Sequence, residues 1–269
     1  MVLESLLDLK TLRKRPWDTF FLSVFYSAVG TILAYLTFPS EVSIAMVFLT
    51  TMAHIPILVN LLKKEEREQI LFGKPFVKTH TDILAILFFT FMGMLTFFTF
   101  LAVILPEEMF SHFFSRQVET IRYINTLSAA ATSPGLLEKI LINNFKVLFF
   151  VIIFSFLYGA GAIFILTWNA SVLGTAIGDA IRDKISLLGP GFASYFKAVP
   201  LAFGMYMIHG IIEVVAYFMG AVAGGIISAA VVRHDYRSPK FMEVLLDSVD
   251  MIILASMFLI LAGLVEVLI

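Results

Sequence analysis

Six long apolar runs frame this chain, at 17–37, 42–62, 83–105, 145–167, 199–232 and 244–269. Each approaches or exceeds the roughly 20 residues that an α-helix needs to cross a bilayer. The polar stretches between them are short. Phe38-Pro39-Ser40 is a tight turn, since Pro39 cannot continue a helix. The charged run 63–80 carries five lysines or arginines. It reads as a solvated cytoplasmic loop with a short helix on the membrane surface. Lys10, Arg13, Lys14 and Arg15 precede the first run and place the N-terminus in the cytoplasm.

Within the runs, local breaks refine the picture. His54 and Pro56 interrupt the second, and His54 reads as a neutral imidazole bonded to a backbone carbonyl freed by Pro56. The third is rich in phenylalanine, including Phe88, Phe91, Phe98 and Phe100, and reads as lipid-facing bulk. Phe110, Phe114, Val118 and Ile121 recur at helical spacing, Ser133-Pro134-Gly135 breaks that pattern, and 136–142 follows as a second short helix. The fourth run enters through Asn143-Asn144, where an asparagine can cap the helix. Residues 170–185 hold Gly174 and Gly178 but end in Asp179, Arg182, Asp183 and Lys184. That segment reads as a re-entrant or interfacial half-helix. The run 199–232 is longer than one crossing needs. With basic residues on both sides of it, a helix pair broken near Gly220 to Gly225 is favoured.

These elements predict an all-α, polytopic integral membrane helix bundle, with about six transmembrane helices plus re-entrant or interfacial half-helices. Three sections follow: a three-helix membrane section at 1–105, an external helical elbow at 106–144 and a membrane core at 145–269. Composition agrees. The chain is 59% hydrophobic and 14% charged, with a mean hydropathy of +0.94, whereas soluble domains are about 45–50% apolar and about 25% charged. The net charge of −1 gives no pull towards nucleic acid, and the absence of cysteine excludes thiolate chemistry.

The apolar stretch from Gly204 carries His209 and Glu213 in its middle. On a helix, positions four apart lie about 40° from one another, so this pair shares a face, with Gly220 and Gly224 on the same side. A charge at mid-bilayer costs on the order of 2.5–3.5 kcal/mol or more, so Glu213 needs a partner or a proton. The candidate buried polar core is Asn143, Asn144, Asn169, His209, Gly210, Glu213 and Glu266. Gly174, Gly178, Gly220 and Gly224 are the candidate helix-packing positions. Three readings stay open for the core. One is a hydrogen-bonded clamp between helices. A second is a single divalent metal on His209 and Glu213, with Glu266 completing the set. The third is an ion- or proton-coupled transport site. No His-Glu-x-x-His pattern, phosphate-binding glycine loop or Ser–His–Asp arrangement occurs.

Three blocks together carry a resemblance: Asn143-Asn144 with Trp168-Asn169-Ala170-Ser171-Val172-Leu173-Gly174, then His209-Gly210-Ile211-Ile212-Glu213 with its following glycines, then Leu261-Ala262-Gly263-Leu264-Val265-Glu266. Their order resembles the stage II sporulation protein M family over roughly 141–269, with 1–105 as an added N-terminal section of the archaeal type. Asn169-Ala170 stands where the family usually has Asn-Gly. The resemblance implies a multi-pass protein of the cell membrane with a polar core. It favours a membrane scaffold or assembly factor, homodimeric through a small-residue face or working with a membrane or envelope protein partner in the lipid bilayer. The alternatives are an ion- or proton-coupled transporter or channel, and a metal-dependent membrane enzyme acting on a lipid-like substrate.

Overall fold

The computed structural model describes residues 9–72, 76–129, 133–158, 161–189, 191–233 and 238–268, and all regular structure among them is helical. The helices are α1 (Leu9–Lys14), α2 (Asp18–Thr37), α3 (Val42–Phe72), α4 (Phe76–Ile104), α5 (Glu107–Phe113), α6 (Ser115–Ala129), α7 (Ser133–Tyr158), α8 (Ala162–Leu188), α9 (Phe192–Arg233) and α10 (Pro239–Leu268). Seven of them are long and apolar enough to cross a membrane. The chain is a multi-pass membrane bundle. Gly159-Ala160, Pro190 and Arg237 lie outside the described residues.

Four local expectations are corrected. The charged run after residue 62 is no separate surface helix, because α3 continues through it to Phe72. The fourth crossing starts at Ser133 and ends at Tyr158, so Asn143 and Asn144 lie inside α7 and cap nothing. Residues 170–185 are no half-helix but part of the 27-residue α8. Its charged end is accommodated because Arg182 reaches the last turn of α4. The guanidinium donates to the carbonyls of Ala102 (3.1 Å) and Leu105 (2.7 Å), pairs with the Glu107 carboxylate at 2.5 Å, and lies 4.8 Å from the Phe110 ring centroid. Those carbonyls have no intrahelical donor, so a cation there completes the end of α4.

The fourth correction concerns α9, one continuous helix of 42 residues with Pro200 inside it. At 1.5 Å per residue it is about 63 Å long. Its glycines are contact surface rather than hinges. In hydrocarbon no water replaces a broken backbone hydrogen bond, so keeping the helix intact is favoured over opening it.

Small residues decide which helices touch. α8 runs parallel to α4, with Gly174 facing Phe98 and Thr99, and Gly178 facing Ala102. A methyl group on Gly178 would lie 2.5 Å from the Ala102 Cβ. α9 runs parallel to α7 in the same manner. Gly220 faces Leu148 and Ile152, and a Cβ on Gly224 would lie 2.6 Å from the Ile152 carbonyl oxygen. Both glycine pairs are thus spent on contacts within the chain, which leaves no small-residue face of theirs for a second copy. The phenylalanine run of α4 divides. Phe91 and Phe98 are core residues and Phe100 faces outward. An edge-to-face contact of Phe91 with Phe218, centroids 5.9 Å apart, joins α4 to α9.

The remaining polar residues are fixed by helices distant in sequence. His54 Nδ1 lies 2.7 Å from the Thr50 carbonyl and Nε2 lies 2.9 Å from Ser23 Oγ on α2. A carbonyl only accepts, so a neutral ring donates from Nδ1 and accepts the Ser23 hydroxyl at Nε2. The carbonyl that Pro56 frees is that of Met52, four residues earlier, so the bonded carbonyl is a different one. In the elbow, Gln117 is fully buried and joins Ser43 of α3 to Ser171 of α8.

Replacing Gly224 with Ala therefore forces α7 and α9 apart, and a loss of about 1–3 kcal/mol is expected in a detergent unfolding assay. Gly204→Ala is the control, since nothing lies within 4 Å of the added methyl; it leaves stability unchanged or raises it by up to about 1 kcal/mol.

Candidate functional site

One cavity gathers most of the residues marked by the sequence. Its volume is about 370 Å³, within the range of small-ligand sites. Four helices supply its polar wall: Asn143 and Asn144 from α7, Asn169 from α8, His209, Gly210 and Glu213 from α9, and Glu266 from α10. The grouping follows from geometry. α7 and α9 are parallel, so Asn144 meets Glu213 about two turns of α9 before the glycine contacts begin. α10 returns antiparallel to α9, which brings its final turn, with Glu266, beside the middle of α9.

Inside the cavity the seven residues behave differently. Asn144 Nδ2 donates to Glu213 Oε1 at 2.5 Å, a bond between residues 69 apart in the chain. Asn143 is exposed, and its Nδ2 lies 3.4 Å from Asn144 Oδ1. The Asn169 amide donates back along its own helix to the Ile165 carbonyl at 2.7 Å. Gly210 leaves room, since an added methyl would come no closer than 4.0 Å to Leu173 Cδ2. His209 Nδ1 is buried and has no hydrogen-bond partner. Glu266 borders the same cavity as Glu213.

The geometry gives the divalent-metal expectation on His209 and Glu213 no support. Among the described residues no three of His, Asp, Glu and Cys converge to hold an ion. The Glu213 carboxylate turns instead to a neutral amide across the α7–α9 contact. None of Gly174, Gly178, Gly220 and Gly224 lines the cavity.

Three polar lining residues escaped the sequence reading: Lys139, Tyr206 and Tyr217. A signal for the tyrosines was present. Tyr206, His209, Glu213 and Tyr217 follow one another at three, four and four residues, a single stripe on α9. Lys139 had none, because its helix was expected to end before the fourth crossing began.

Comparison with known proteins adds one finding. The family model described as Stage II sporulation protein M matches residues 84–269. No curated protein and no solved structure matches. The matched stretch starts within α4, so it takes in the α4–α8 contact, the elbow and the whole cavity wall.

A double-mutant cycle on Asn144→Ala and Glu213→Ala measures the α7–α9 bond directly. A coupling energy of about 1 kcal/mol is expected, in the range found for interhelical hydrogen bonds in membrane proteins. Additive single-mutant effects would show that the bond contributes nothing.

Proposed function

The chain belongs to the stage II sporulation protein M family, and on that premise we propose that it is a membrane scaffold or assembly factor, with the Asn144–Glu213 bond clamping its helices. That bond is the observation that carries the reading. A carboxylate free to serve an ion path would face a chain of exchangeable partners, whereas this one is committed to a side-chain amide from a packed neighbour. Unbroken α8 and α9 support the same reading, since half-helices around a midplane site are the usual architecture of secondary transporters.

Orientation follows from the crossings. With seven spans and a cytoplasmic N-terminus, the loop after α3 and the loop between α9 and α10 fall on the cytoplasmic side. Lysines and arginines sit in and beside both, Lys63, Lys64, Arg67, Lys74 and Lys78 at the first and Arg233, Arg237 and Lys240 at the second, in keeping with the charge bias of membrane loops. The Arg182 group falls on the opposite face, where Glu107 pairs with it. The protein is read here as a resident of the cell membrane, with the elbow outside.

A second reading, coupled movement of an ion or proton, rests on the polar cavity itself, which holds Glu213, Glu266 and His209. Reconstitution separates the two. Purified protein in liposomes is expected to move no protons, sodium or potassium above empty vesicles. A flux that Glu213→Gln abolishes would sink the scaffold reading and establish transport.

A further inference from the structure

The cavity described above has an unbalanced set of polar atoms. Glu213 spends one oxygen on Asn144 and the other has no partner among the described residues. Glu266 makes no hydrogen bond or ion pair to any described residue, although it borders the cavity. His209 Nδ1 is buried and unbonded. Asn169 uses its amide nitrogen on Ile165, which leaves its carbonyl oxygen as an acceptor. Lys139 also lines the cavity and has an interaction of its own. The acceptors on the lining are the Glu213 and Glu266 side chains and the Asn169 carbonyl, with aromatic rings of Phe91, Tyr206 and Tyr217 beside them.

We propose that this cavity binds an organic ammonium ion, either a small amine with an apolar stem or the headgroup of an aminophospholipid. The charge sign follows from the carboxylates. Glu213 and Glu266 border one cavity, so a cation between them offsets the cost of holding carboxylates out of water. An N–H-bearing cation is specified, because the free atoms are acceptors and an ammonium presents up to three donors. Size excludes a bare ion as the sole occupant. A single water needs roughly 10–15 Å³ of such space, and the cavity offers about 370 Å³. The aromatic faces suit the cation and the apolar wall suits its stem. The neighbouring buried atoms without partners, Ser27 Oγ, Thr31 Oγ1, Thr50 Oγ1 and Thr99 Oγ1, do not line the cavity, which sets His209 apart. Binding does not require the scaffold role, and the flux assay above leaves it untouched.

The test uses the purified full chain in detergent, with melting temperature followed against phenethylamine, 2-phenylethanol and phenylacetate. These share a size and differ in charge. A saturable rise with the amine alone is expected, since a ligand that binds only the folded state stabilises it. Glu266→Gln is expected to weaken the amine roughly tenfold or more, the effect of one charge-assisted hydrogen bond. Its ligand-free melting temperature should hold, because Glu266 bonds no described residue. Equal shifts for amine and alcohol, or an amine affinity unchanged in both Glu266→Gln and His209→Ala, overturn the proposal. A second arm identifies the source once the amine binds. In bilayer discs, phosphatidylethanolamine in place of phosphatidylcholine weakens phenethylamine if the headgroup is the natural occupant. It leaves the affinity unchanged if a free amine is.

Discussion

A carboxylate enclosed by transmembrane helices has to be matched by something, and in this protein the match for Glu213 is an amide on a different helix. The bond from Asn144 ties α7 to α9 about two turns of α9 before their glycine contact begins. Close approach and polar pairing reinforce one another here. The glycines let the backbones come near enough for a short amide to reach, and the bond holds α7 in the register that keeps Gly224 against the Ile152 carbonyl. In lipid, where apolar surface gives helices little reason to prefer each other over acyl chains, such contacts carry the association.

The bundle uses that device twice. α8 lies along α4 through Gly174 and Gly178, and α9 lies along α7 through Gly220 and Gly224. The two parallel pairs are joined where Phe91 meets Phe218. The cavity lies on the face of α9 that carries Tyr206, His209, Glu213 and Tyr217, ahead of the glycines along the helix. Its walls are therefore rigid consequences of the packing rather than a loop that could fold away. That rigidity is what a binding site requires, because a preformed site loses little entropy when occupied.

Elsewhere in the bundle, buried side chains with more than a hydroxyl to satisfy find protein partners. His54 is held between Thr50 and Ser23, Gln117 between Ser43 and Ser171, and Arg182 by two carbonyls and Glu107. Against that background the free acceptors around the cavity stand out. They sit in one place, share one electrostatic sign and belong to the part of the chain that the family has in common.

Much of this was readable before any fold was known. Hydropathy and helical period are local properties, so the sequence alone determined a membrane class, located most of the crossings and put His209 and Glu213 on one face of a helix. The blocks around Asn144, His209 and Glu266 also placed the chain in its family. Tertiary structure decided what depends on residues far apart in sequence. It placed Asn143 and Asn144 inside a helix rather than at its start, kept α8 and α9 continuous, and turned the glycines into seams. It gave Glu213 an amide from α7 and left Glu266 with no hydrogen bond among the described residues. The physical reason is that a glycine, a charged helix end or a buried carboxylate is tolerated or costly only according to its neighbours, and those neighbours come from other helices.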